Sequence, residues 1–127
     1  MKTILLSFLL MASTITISFA EIATPEGARK ACIEKDSMGC VNLAVFYYLG
    51  KDIEPDILKA VQFYNKACDM NNTMGCSRLG RIYEFGSKGI PQDYFKAVQF
   101  YNKACILGDS FSCDSLGYLY EHKQGFK

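Results

Sequence analysis

The sequence predicts an all-α chain, an α/α solenoid of three disulfide-linked helix-turn-helix repeats, and three observations carry that prediction. A ten-residue stretch occurs twice without change, KAVQFYNKAC at 59–68 and again at 96–105. Each copy is followed eight residues later by a further cysteine, Cys76 and Cys113, and a worn upstream copy keeps Lys30-Ala31-Cys32 with Cys40 in the matching place. The first cysteines stand 36 residues apart from Cys32 to Cys68 and 37 apart from Cys68 to Cys105. Fixed periods of this size mark stacked supersecondary units, each of which buries its apolar face against a neighbour. The repeats are expected at about 24–55, 56–92 and 93–125.

Ahead of them, residues 1–20 carry Lys2, an apolar run from Ile4 to Met11, and a polar stretch ending Ser18-Phe19-Ala20. This reads as a secretory signal peptide cleaved after Ala20, its apolar part too short for a comfortable membrane span. The reading predicts a secreted or periplasmic chain without a stable membrane anchor, and a mature domain at 21–127. With Lys2 gone, 13 basic residues balance 13 acidic ones and no run of like charge occurs, which argues against a nucleic-acid partner. Six cysteines in an exported chain of this size read as disulfides. Fifteen pairings are possible in principle. The spacing favours the local set, Cys32 with Cys40, Cys68 with Cys76 and Cys105 with Cys113.

Each unit reads as two helices joined by a short polar turn. In unit one the front helix is reduced to Thr24–Lys30. In unit two Asp56, after Pro55, is the expected N-cap, and Ile57, Ala60, Val61, Phe63, Tyr64, Ala67 and Cys68 share the buried face. Leu58, Gln62, Asn65, Lys66 and Asp69 lie opposite. Unit three copies this with Asp93 as cap. The turns are Asp69-Met70-Asn71-Asn72 and Leu107-Gly108-Asp109, and the hydroxyls of Ser37, Thr73 and Ser110 are the expected N-caps of the second helices. Those helices carry Leu43, Leu79 and Leu116, then Ala44, Gly80 and Gly117, then Tyr47, Tyr83 and Tyr120. Glycine inside a helix costs about 1 kcal/mol against alanine, so the small position predicts a close helix-to-helix approach. Gly50 and Gly86 are expected as left-handed C-caps. At the far end Leu116, Leu119 and Tyr120 are expected to present an apolar edge suited to self-association through the C-terminal helix, unless Phe126 folds back over it.

The pairing of A-x3-Y-x2-A-C (Ala60, Tyr64, Ala67, Cys68; Ala97, Tyr101, Ala104, Cys105) with C-x2-L-G-x2-Y in the following helix resembles the Sel-1-like repeat, a relative of the tetratricopeptide repeat. The cysteine pair in each unit and the leader make it similar to the secreted cysteine-rich bacterial branch, whose members are named as β-lactamases and cysteine-rich proteins. The resemblance spans residues 24–125. It implies one disulfide per unit joining its two helices, export, and binding of penicillin-like compounds with slow hydrolysis of 6-aminopenicillanic and 7-aminocephalosporanic acid derivatives. This chain has only three units, fewer than the longer relatives.

The residues themselves supply no catalytic constellation. A serine β-lactamase places a serine three residues before a lysine that tunes its proton, and Ser-x-x-Lys does not occur; Ser87-Lys88 are adjacent in a turn. His122, the single histidine, reads as a solvated side chain, so neither a zinc site nor any cofactor is expected. Gly86-Ser87-Lys88-Gly89 lacks the spacing of a phosphate loop. Two functions follow. The residues favour a binding module in which stacked first helices line a concave groove for a peptide or protein. Its ligand-binding positions are Gln62, Asn65 and Lys66, recurring as Gln99, Asn102 and Lys103. The resemblance implies a β-lactam or cell-wall-like small molecule instead.

Overall fold

The computed structural model describes residues 22–123; the expected leader with its cleavage point after Ala20, and Phe126 at the other end, lie outside the described residues. Six helices follow one another: α1 (Pro25–Ile33), α2 (Ser37–Leu49), α3 (Ile57–Asp69), α4 (Thr73–Phe85), α5 (Tyr94–Ile106) and α6 (Ser110–His122). Among the described residues the β structure consists of an isolated bridge between Ser87 and Ile90. No helix among them is long and apolar enough to cross a membrane.

Each helix packs on its neighbours in sequence, and the pairs that join units, α2 with α3 and α4 with α5, are at least as close as the pairs within units. The α/α solenoid is therefore the observed fold. Alanines on the first helices make the approach possible: Ala60, Ala67, Ala97 and Ala104 are all fully buried. The core runs from Ala28 through Leu43, Tyr64 and Leu79, and a smaller cluster of Ala97, Tyr101 and Leu119 closes the last unit, with Tyr83 packed against both.

The unit joints repeat in atomic detail. The Asp56 backbone N–H donates to the Tyr47 carbonyl at 2.9 Å, and Asp93 donates to Tyr83 at 2.7 Å. Tyr47 stacks on Phe63 and Tyr83 on Phe100, both at 5.7 Å between ring centroids, each pair contributing about 0.5–1.5 kcal/mol beyond its area burial. Asp56 and Asp93 cap α3 and α5 as expected, accepting from the N–H groups of Lys59 and Lys96. The three disulfides are the local ones, with Cα atoms 4.5, 4.7 and 4.7 Å apart.

Four expectations need correction. Asp36, Asn72 and Asp109 cap the second helices, one residue before Ser37, Thr73 and Ser110. The turn leaves that last residue extended, so its short oxygen-bearing side chain reaches the N–H groups of the first turn, while the hydroxyl residue is already helical. Each turn achieves its reversal through one positive-φ residue, Lys35, Asn71 or Gly108. Gly50 is a left-handed C-cap, whereas Gly86 pairs φ 73° with ψ 170° and sends the chain out extended towards the Ser87–Ile90 bridge. The close approach holds at Gly80, where a Cβ would lie 2.5 Å from the Tyr101 ring, but among the described residues a Cβ at Gly117 meets nothing within 4 Å. The apolar edge differs from the expected one: Leu119 is fully buried beside Ala97 and Tyr101 and Leu116 is half-buried, while Phe111, Tyr118 and Tyr120 are the exposed large apolar side chains of α6.

Candidate functional site

The polar faces of α3 and α5 begin in the same register because the same aspartate cap and the same joint to the preceding tyrosine carbonyl fix each helix start. On α3, Gln62 and Lys66 are exposed and Asn65 is half-buried; on α5, Gln99 and Asn102 are exposed and Lys103 is half-buried. The four amide side chains make no hydrogen bond among the described residues, and each of the two helices packs on the α4 that lies between them. The Lys66 ammonium lies 5.5 Å over the ring of Phe63.

Beneath these faces the tyrosines of the repeated stretch anchor the units. Tyr101 is fully buried and its hydroxyl donates to Glu84 Oε2 at 2.6 Å. Burial first, and then this bond to a carboxylate, push its phenol well above the usual tyrosine range. Tyr64 is raised too, chiefly by burial, against the opposing pull of the Arg78 charge.

A cation row escaped the reading of the sequence. Lys59 lies 5.3 Å over Tyr47 and Lys96 lies 5.0 Å over Tyr83, so each tyrosine is stacked by the next unit's phenylalanine and covered by its lysine. The signal was present in the lysine that opens both copies of KAVQF. The remaining candidates stay apart. Ser87 spends both backbone groups on Ile90 and Lys88 is exposed. His122 is exposed, stacked on Tyr118 with Nδ1 3.0 Å from the Tyr118 carbonyl. Among the described residues no group of three or more His, Cys, Asp and Glu gathers at a point.

Comparison with known proteins agrees with this architecture. The Sel1 repeat matches residues 37–72 and 73–109, a frame that begins at the second helix of each unit. A cysteine rich protein B of Helicobacter pylori superposes with a TM-score of 0.69 at 34% identity, covering 85% of this chain and 79% of that one. A Sel1 repeat protein from Oxalobacter formigenes gives 0.74 at 25% identity, over 84% and 43%. Among curated sequences, Cytochrome c oxidase assembly factor 7 of Xenopus tropicalis is 41% identical over 61 residues, 46% of this chain and 26% of that protein. Factor 7A of Xenopus laevis is 36% identical over 58 residues, 45% and 25%. The chain spans about a quarter of the length of these curated relatives. Three intra-unit disulfides fit an oxidising compartment. Matched by the family across more than half its length and folded as its solved members are, the chain belongs to the Sel1 repeat family.

Proposed function

We propose that the protein is an exported binding module that holds a peptide or protein along the polar faces of α3 and α5. One observation carries this reading: Gln62, Asn65 and Lys66 recur unchanged as Gln99, Asn102 and Lys103 on successive first helices, with their amides unengaged by the fold. An amide both donates and accepts hydrogen bonds, so two sets of them suit the backbone of an extended segment. Helical repeats are suited to such docking because their surface is long and built from rigid elements. Changing Asn65 and Asn102 together to alanine is expected to abolish partner binding and leave the melting temperature nearly unchanged, since surface substitutions cost within about 0.5 kcal/mol. Unchanged affinity for a captured partner would move the site to the faces of the second helices.

A second reading, β-lactam binding with slow hydrolysis, rests on the sequence resemblance to the cysteine-rich bacterial branch. Turnover of a penicillin by a clean, fully oxidised preparation separates the two. The assembly role in the names of the Xenopus proteins belongs to those longer chains, and export rests on the leader and the disulfides.

A further inference from the structure

We propose that a recess of about 250 Å³ between α2, α3 and α4 binds a free carboxylate carried on an apolar residue, the C-terminal residue of a peptide. Tyr48, Tyr64, Arg78, Arg81, Ile82 and Phe85 line it. This site is separate from the amide faces of α3 and α5, none of whose six positions lines the recess.

Two unpaired cations are the first argument. Arg78 and Arg81 stand three residues apart on α4, on one helix face, where like charges repel. Neither is ion-paired with a carboxylate among the described residues. Two nearby acids are engaged elsewhere: Glu84 accepts the Tyr101 hydroxyl, and Asp109 caps α6, accepting from the Ser112 N–H and hydroxyl. Arg81 rests 5.8 Å over the Phe111 ring, which orients it without neutralising it. The fold itself thus gains no ion pair from placing the two guanidinium groups here.

The second argument is a phenol that lines the same recess. The Tyr64 side chain is only 3% exposed, yet its hydroxyl makes no hydrogen bond among the described residues. No buried polar side-chain atom among them is left without a partner, so this oxygen opens onto the recess. Burial holds the phenol protonated, leaving it a donor. A carboxylate there would accept from Tyr64 and from an arginine fork, the pairing that makes the strongest neutral-pH hydrogen bonds.

The third argument is that these residues break the repeat. The positions of Arg78 and Arg81 hold Asn42 and Val45 in unit one and Ser115 and Tyr118 in unit three, so the scaffold does not require them. Beside the charges, Ile82 and the 69% exposed Phe85 form an apolar wall. The volume lies below the roughly 300–1,000 Å³ of drug-sized ligand sites, which selects a single terminal residue over a longer segment. An apolar wall next to paired cations suits an apolar residue ending in a carboxylate better than a phosphate.

The test titrates the full, oxidised chain with N-acetyl-Ala-Ala-Phe as the free acid and as the C-terminal amide, by calorimetry. The free acid is expected to bind at least about tenfold more tightly, the scale of one lost charge-assisted hydrogen bond. Arg78→Gln with Arg81→Gln should weaken the acid by at least the same factor, and Tyr64→Phe by severalfold, with circular dichroism unchanged in both. Raised salt should weaken the acid alone. Equal binding of acid and amide, an unaffected double variant, or no saturation by the acid at millimolar concentration overturns the proposal. Displacement of the acid by a lower concentration of inorganic phosphate overturns the choice of carboxylate.

Discussion

Gly80 and Gly117 occupy the same repeat position, and replacing each by alanine should move stability in opposite directions. A Cβ at Gly80 would sit 2.5, 2.6 and 2.9 Å from Cδ1, Cε1 and Cγ of Tyr101. That ring cannot swing away: it is fully buried and its hydroxyl is tied to Glu84. Alanine gains about 1 kcal/mol of helix propensity, while one extra methyl in a packed core costs about 1–3 kcal/mol. A contact this short, against an immobile ring, belongs at the upper end. The net expectation is destabilisation by about 1–2 kcal/mol. At Gly117 the added methyl meets nothing within 4 Å among the described residues, and φ there is not positive, so the propensity gain stands alone and Gly117→Ala should stabilise by up to about 1 kcal/mol. Urea denaturation with the disulfides intact measures both; a change of 1 kcal/mol corresponds to about 4–8 °C in the melting temperature of a domain this small. A Gly80→Ala protein as stable as the parent would refute the packing argument, and equal losses at both positions would refute the contrast between an inner and an end unit.

Two further outcomes follow from the same structure. Replacing Cys68 and Cys76 together by alanine should destabilise the chain by about 2.5 kcal/mol, the chain-entropy value for a nine-residue loop; an unchanged urea midpoint, or a non-reducing peptide map linking Cys40 to Cys68, would contradict it. Stability should also fall in alkali: the unfolded phenols titrate at their ordinary value of 10.0, whereas burial holds Tyr101 and Tyr64 protonated to higher pH. The native state therefore binds more protons above pH 10, stability is level below it and declines beyond. The urea midpoint at pH 11 should lie below that at pH 8, with a shallower decline in Tyr101→Phe; equal midpoints would show that the phenols are not held as described.

Much of the architecture was legible because it is local. The cysteine pairing, the aspartate caps at 56 and 93, the apolar face of KAVQFYNKAC and the turns all depend on residues within one unit, and a repeat prints that information two or three times. The misreadings were local as well. Ser37, Thr73 and Ser110 displaced the true caps by one residue because hydroxyls and short amide or acid groups compete for the same N–H groups, and only the turn's φ and ψ decide between adjacent residues.

The sequence by itself determined the helix faces, the aspartate caps at 56 and 93 and the disulfides. Tertiary structure alone decided what those faces meet. The two copies of KAVQFYNKAC are identical, yet Val61 and Cys68 are buried while Val98 and Cys105 are half-exposed, and Asn65 is half-buried while Asn102 is exposed. Gly80 is pressed against a tyrosine, and Gly117 is open. Periodicity reports the direction in which a side chain leaves its own helix, a short-range property. Burial, and the meeting of Arg78, Arg81 and Tyr64 at one recess, depend on which other helix lies in that direction, and that is set by a unit's place in the stack.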